Sequence, residues 1–239
     1  ARLSRFREKV ETLRSYSIQQ LCVLRFNKNL AQMTADDFIQ KLIIDGLNIK
    51  YLVVGDDFKF GKDRRGDFSK LQQAGEKHGF QVVNMHTFSV DQMRVSSTRI
   101  RQALKIGDLM LAEKLLGCPY RMSGRVAHGD KRGRTMGFPT ANIHLHRRKV
   151  PINGVYAVQL FGVEGEPILG VANVGVRPTI REDKALLEVH LFDFNRDIYG
   201  EHVQVHFLQK IRDEQKFANL DELIEQIRLD CLQVRKYFS

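Results

Sequence analysis

Residues Gly124 to Asn142 read GRVAHGDKRGRTMGFPTAN, and at this stretch the chain changes character. Gly124, Gly129, Gly133 and Gly137 leave the backbone free to fold round a ligand, while Lys131, Arg132 and Arg134 place positive charge beside the exposed amides. That chemistry suits polyphosphate. In Pro139-Thr140-Ala141-Asn142 an extended backbone turns the Thr140 hydroxyl and the Asn142 amide to the same side, because strand side chains alternate with period two. Two neutral oxygens side by side suit a hard cation such as magnesium, which keeps most of its waters and takes phosphate oxygens as further ligands. The same letters also fit plain turns between strands, with the basic residues solvated.

Around this stretch the chain is strand-like with turns at short intervals: Arg121 to Ala127, Thr140 to His144, Gly154 to Val163, Ile168 to Val174, Leu186 to Phe194 and His202 to Leu208. Short strands punctuated by Gly, Asn and Asp predict a small antiparallel barrel or sandwich. In Leu187-Glu188-Val189-His190-Leu191 the alternation turns the apolar residues to one face and Glu188 and His190 to the other. On composition alone such a carboxylate is an ordinary solvent-facing residue. Asn219 with Glu222 forms a capping box, and Leu220, Leu223, Ile224, Ile227, Cys231, Val234 and Phe238 keep helical spacing, so the chain closes with an amphipathic helix against the sheet.

N-terminal to the stretch the pattern is α/β. Leu3, Phe6, Val10 and Leu13 predict an amphipathic helix over the first 15 residues or so. Leu21 to Phe26 reads as a short buried strand, Thr34 to Gly46 as a capped helix, and Tyr51 to Val54 as a strand covered on both faces, together a βαβ unit of a parallel sheet. Gly55-Asp56-Asp57-Phe58-Lys59-Phe60-Gly61 follows, where such sheets bind ligands; it is also a plausible polar turn. A second β-rich run, Phe80 to Phe88, leads to Val95-Ser96-Ser97-Thr98-Arg99-Ile100-Arg101, a helix start that suits phosphate and equally an ordinary Ser N-cap. Two helices follow, parted at Gly107-Asp108 and ended by Gly117 and Pro119, which sets the expected domain boundary: residues 1–119, then 120–239.

Composition narrows the function classes. With 239 residues, 43% hydrophobic and 28% charged, the chain has the make-up of one large or two ordinary soluble domains. No apolar run approaches a membrane span and the basic opening lacks the apolar core of a signal peptide, so no membrane partner is expected and a cytoplasmic setting is. Cys22, Cys118 and Cys231 are widely spaced, without a CxxC pair, and read as reduced packing residues. The net charge of +10 is unevenly divided, with 20 Lys+Arg against 13 Asp+Glu in residues 1–119. The basic residues are mostly interspersed with acids, a pattern of small phosphorylated ligands rather than a nucleic-acid track. No Walker A pattern occurs.

The segment GRTMGFPTAN resembles the signature of riboflavin kinases, in particular the C-terminal module of the bacterial bifunctional riboflavin kinase/FMN adenylyltransferases. GDDFKFG resembles that family's G-x-D-F-x-F-G segment, VSSTRIR its I-S-S-T-x-x-R motif with Val95 for Ile, NVGVRPT its N-x-G-x-R-P-T loop, and EVHLFDF followed by DIYG its catalytic-glutamate strand. The resemblance implies a partial Rossmann-like nucleotidyltransferase domain, then a six-stranded antiparallel β-barrel with a C-terminal helix. It implies ATP- and Mg2+-dependent phosphorylation of riboflavin to FMN, and adenylylation of FMN to FAD by the first module.

Carried over residue by residue, the resemblance makes Glu188 the base for the 5′-hydroxyl and Thr140 and Asn142 the residues for magnesium. It places Gly129, Lys131, Arg134, Gly137 and Pro139 on ATP, and Asn173 and Arg177 on the flavin. In the first module Asp57, Phe58, Gly61, Ser96, Ser97, Thr98 and Arg101 line the nucleotide and flavin pocket. The family's first strand and its G-x-F-D-G-x-H-x-G-H loop have no counterpart in these 239 residues, so the α/β domain is expected to be N-terminally incomplete and adenylyl transfer not to be carried by these residues alone. A flavin- or nucleotide-binding regulator without turnover is the alternative from another class. A nucleic-acid-binding protein is the third, marked by salt-dependent affinity and no flavin dependence. Oligomeric state is not legible in the sequence.

Overall fold

Alternation of apolar and polar residues through the second half of the chain produces a closed barrel, as seen in a computed structural model that describes residues 1–129, 132–147, 149–163, 165–177 and 184–239, with only the backbone of Arg132, Arg134, Arg177 and Lys184. Its strands are β1 (Tyr120–Ala127), β2 (Thr140–His144), β3 (Gly154–Phe161), β4 (Ile168–Arg177), β5 (Lys184–Leu191) and β6 (His202–Arg212). They pair antiparallel in the order β6-β1-β2-β5-β4-β3, with β3 returning to β6. Met122, Tyr156, Val158, Leu160, Val174, Leu187, Val189, Val203 and Phe207 fill the interior almost without exposure. Each side chain of this size buried from water contributes roughly 1.5–3 kcal/mol. Closure removes the sheet edges.

The outer face of the barrel is apolar on one side, where Val155, Ala157 and Val171 meet Cys231 and Val234 of the C-terminal helix Leu220–Phe238. Half of the expected capping box forms: the N-cap Asn219 accepts the Glu222 amide at 2.9 Å, while Glu222 accepts the Ala218 amide at 3.2 Å and the Asn219 side-chain amide at 3.1 Å rather than the Asn219 backbone amide. Helices Ser97–Ile106 and Leu109–Leu116 end on Gly107 and Gly117, both left-handed, as their C-cap positions require.

The chain divides into two units, Ala1–Ile18 with Ser96–Ser239, and Gln19–Val95. In the second, strand Tyr51–Gly55 pairs in parallel with Gln81–Met85, and helix Phe68–His78 connects them. This βαβ unit is shifted from the expected one. Leu21 to Phe26 forms no strand, and Leu21, Val23, Leu24 and Phe26 are exposed; an apolar run becomes a strand only where a ladder partner takes its amides, and among the described residues none does. Nor is the strand at 51–55 covered on both faces: Val54 is buried, while Tyr51 and Val53 are exposed. The helix expected from Thr34 forms with Thr34 as N-cap, then widens into a π-helix over Phe38–Ile44. Ile39, Ile43, Val54, Phe60, Leu71 and Phe80 are the core of this unit.

The opening helix, Phe6–Ser15, forms where expected but buries a different face. Phe6 is 59% exposed, whereas Glu8 is buried and Val10 and Leu13 are half-buried. Glu8 pairs with the guanidinium of Arg147, accepts the Ser123 amide at 3.1 Å and accepts the Arg5 amide at 2.5 Å. Burial alone pushes the Glu8 carboxyl upward; the two amides and the Arg147 charge outweigh it and hold the group below its usual range.

Candidate functional site

The barrel register sets the site. Asn142 on β2 lies opposite Glu188 on β5, and Glu188 lies opposite Asn173 on β4, so the three stand in one row across adjacent strands. Leu187 and Val189 point into the barrel, which turns Glu188 and His190 outward. Thr140 is opposite His190, one pleat repeat along from Asn142 on the same face. All of these outward residues line one cavity of about 550 Å³ between the barrel wall, the 133–138 segment and the C-terminal helix.

Two glycines of the 124–142 stretch owe their identity to this row. A Cβ on Gly129 would lie 2.5 Å from Asn142 Cγ and 2.8 Å from its Oδ1, so any side chain there would force that amide out of place. A Cβ on Gly133 would overlap the Phe138 carbonyl and reach within 3.2 Å of Thr140 Oγ1. The Gly133 carbonyl in turn accepts the Phe138 amide at 2.8 Å, which closes the turn back onto β2. His190 Nδ1 donates to the Pro139 carbonyl at 2.9 Å, and its ring meets Phe138 edge-on at 5.6 Å. His190 is thus a brace for the Phe138-Pro139-Thr140 backbone as well as a packing residue.

The opposite wall was not read from the sequence. Arg212, at the end of β6, donates to Asp230 of the C-terminal helix through Nε at 2.9 Å and Nη2 at 2.7 Å, and Gln226 adds a third donor at 2.9 Å. Arg212 also lies over the Phe217 ring at 5.8 Å. Burial, then the neighbouring Asp230 carboxylate, pushes the Cys231 thiol up to about 11, so it is neutral at physiological pH. One signal in the sequence marks this wall: Asp230 falls on the apolar face set by Ile227, Cys231 and Val234, where an unpaired charge is not tolerated.

Two family models match the chain: riboflavin kinase over residues 116–238 and FAD synthetase over residues 1–99. The bifunctional riboflavin kinase/FMN adenylyltransferase of Escherichia coli (strain K12) is 49% identical over 239 residues, all of this chain and 76% of that protein. This chain belongs to the bifunctional riboflavin kinase/FMN adenylyltransferase family. The Haemophilus influenzae family member is likewise 49% identical, over all of this chain and 78% of its own length. A crystal structure from Streptococcus pneumoniae, described as a macrolide-efflux protein, superposes with a TM-score of 0.82 at 36% identity, over 95% of this chain and 73% of that one. Among the described residues, no helix is long and apolar enough to cross a membrane.

In this chain the residues expected at the kinase site fall into three groups. Thr140, Asn142, Asn173 and Glu188 share the cavity wall, and Gly129 lies against the Asn142 amide. Gly137 has a left-handed backbone with φ +82° and open space around it, and Pro139 is fixed by His190. Lys131 lies outside the described residues, as do the side chains of Arg134 and Arg177 and the residues Pro178 and Thr179.

The residues expected in the adenylyltransferase module lie on separate units. Within Gln19–Val95, Asp57 pairs with Arg94 at 3.0 Å, and Phe58 stacks on Phe60 at 5.6 Å beside the core. Gly61, at φ +72°, packs on Ala35, whose backbone leaves no room for a Cβ. Ser96 is the N-cap of helix Ser97–Ile106 and accepts the Arg99 amide at 3.3 Å, so the capping role is realised. Thr98 accepts from Arg101 at 3.3 Å on the surface, and Ser97 opens the helix.

Proposed function

We propose that residues 120–239 phosphorylate the 5′-hydroxyl of riboflavin with ATP to give FMN, and that residues 1–119 contribute to the transfer of an adenylyl group from ATP to FMN, giving FAD. The observation that carries the kinase reading is the row Asn142–Glu188–Asn173, with Thr140 beside it, on the wall of a single cavity. Phosphoryl transfer requires positioning, neutralisation of polyphosphate charge and a base for the attacking hydroxyl. Glu188 takes the proton from the 5′-oxygen. Asn173, its cross-strand neighbour, and Arg177 at the end of the same strand hold the flavin side of the substrate.

Among the described residues, no group of three or more His, Cys, Asp or Glu side chains is placed to hold a metal ion. The two neutral oxygens of Thr140 and Asn142 therefore fit a cation that takes few protein ligands and completes its shell with phosphate oxygens and water, as magnesium does. Bound there, magnesium neutralises charge on the phosphates. The chain from Gly129 to Pro139, with Lys131, Arg134 and Gly137, covers the ATP phosphates. Asp57, Phe58, Gly61, Ser96, Ser97, Thr98 and Arg101 serve the adenylyltransferase pocket.

The partners are small molecules: riboflavin, FMN and ATP, with no nucleic acid, in the cytoplasm. Purified chain incubated with riboflavin, ATP and magnesium, with the flavins then separated chromatographically, tests the reading. FMN formation supports the kinase assignment and added FAD supports the adenylyltransferase one. Absence of both products overturns the proposal.

A further inference from the structure

The cavity has three carboxylates on its walls, and they differ in what already satisfies them. Glu188 stands in the row described above. Asp230 is saturated by Arg212 and Gln226. Glu214, just past the end of β6, has a single donor among the described contacts: Asn153 Nδ2, at 2.8 Å to Oε2. Its other oxygen, Oε1, lies over Gly175, in the space that any side chain at position 175 would fill. A side chain at position 175 would have to displace that carboxylate. Glu214 is itself exposed, and its carboxylate is placed by the Asn153 amide just before β3 and by the bare Gly175 on β4.

Position within the sheet says what this carboxylate meets. Gly175 is one pleat repeat beyond Asn173 on β4, and both face outward, so Glu214 lies about 7 Å along the strand from the row containing Glu188. A substrate whose reacting alcohol is at Glu188 passes Glu214 at a distance comparable with the length of a five-carbon chain. An ionised carboxylate only accepts hydrogen bonds. The donors a riboflavin molecule offers between its terminal alcohol and its ring are the secondary hydroxyls of the ribityl chain.

We infer that Glu214, braced by Asn153 over Gly175, accepts hydrogen bonds from the ribityl hydroxyls and makes the kinase site select a polyol side chain. The inference rests on the riboflavin kinase reading given above. Glu214 is a specificity residue and takes no proton in the reaction.

The test compares Glu214→Leu and Glu214→Gln with the unaltered chain, measuring KM for riboflavin, KM for ATP, kcat, and inhibition by lumiflavin, which carries the ring system with a methyl group in place of the ribityl chain. Loss of hydrogen bonds to a charged acceptor raises KM for riboflavin by about 10- to 100-fold in Glu214→Leu. Glu214→Gln keeps an acceptor oxygen and loses less. KM for ATP, kcat and the lumiflavin inhibition constant stay close to those of the unaltered chain. Gly175→Ala, which displaces the carboxylate, raises KM for riboflavin in the same selective way. An unchanged riboflavin KM in Glu214→Leu overturns the inference while leaving the kinase reading intact, and so does an equal loss for lumiflavin, which marks general damage to the cavity. Failure of the unaltered chain to form FMN overturns both.

Discussion

Replacing Gly129 by alanine changes one methyl group and should disable the kinase site without unfolding the barrel. The added carbon would lie 2.5 Å from Asn142 Cγ and 2.8 Å from Oδ1. Non-bonded carbon contacts are comfortable at about 3.5–4.0 Å, so the Asn142 amide or the chain above it must retreat by about 1 Å. Misplacing a positioning group by about 1 Å costs about 100-fold in rate, or about 2.7 kcal/mol of transition-state stabilisation. Gly129 is absent from the positive-φ residues, so alanine adds no backbone strain and Tm should hardly move. Gly117→Ala is the control with the opposite signature: φ is +75° with open space around it, so it costs about 1–2 kcal/mol of stability and leaves the kinase kinetics alone. The assay is FMN formation over a magnesium titration, with Tm measured in parallel. Wild-type kcat/KM and an unaltered magnesium dependence in Gly129→Ala would refute the assignment of Asn142 and of the chain that covers it.

Glu8→Gln leaves the Arg147 charge buried and uncompensated, which costs about 3–5 kcal/mol and lowers Tm by roughly 10 °C. Because the folded Glu8 carboxyl is held below its ordinary value of 4.5, the pair contributes fully above that pH and loses its contribution as pH falls through the folded value. Chemical denaturation of both proteins from pH 7 down to pH 3 should therefore show their difference constant near neutrality and shrinking in acid; a gap that widens in acid contradicts the assignment. With the Cys231 thiol at about 11 and buried against the cavity, iodoacetamide at pH 8 should modify exposed Cys22 first and Cys231 slowly, with riboflavin slowing it further. Mass spectrometry of tryptic peptides reads the order, and Cys231 reacting first is the contrary result.

The six strands were legible because turn residues part them, but the residue pattern left barrel and sandwich open, and only the family resemblance specified a six-stranded barrel: Thr140 to His144 forms as read, and the other five strands differ from the reading only at their ends. Period two also placed Glu188 with His190, and Thr140 with Asn142, on outward faces. It did not place Asn142, Glu188 and Asn173 in one row, because cross-strand register depends on how a closed sheet is staggered, which no single strand encodes. The wall made by Arg212, Glu214 and Asp230 was missed because its contacts are long-range: Arg212 reaches Asp230 on a helix 18 residues later, and Glu214 meets Asn153 61 residues earlier. Leu21 to Phe26 misled since apolar letters report affinity for an interior, whereas a strand also needs a neighbour to take its backbone groups. The opening helix was read from Leu3, Phe6, Val10 and Leu13, yet it buries Glu8 and exposes Phe6, because a cation 139 positions away is brought against that carboxylate.

The most direct test of the kinase chemistry is Glu188→Ala, followed by single-turnover FMN formation alongside ATP binding by calorimetry. A positioned general base contributes about 100- to 10,000-fold. Turnover should fall by that much while the dissociation constant for magnesium-ATP is retained. FMN formation at close to the unaltered rate in Glu188→Ala would contradict the assignment of the base, and with it the role given to the row of residues on the cavity wall.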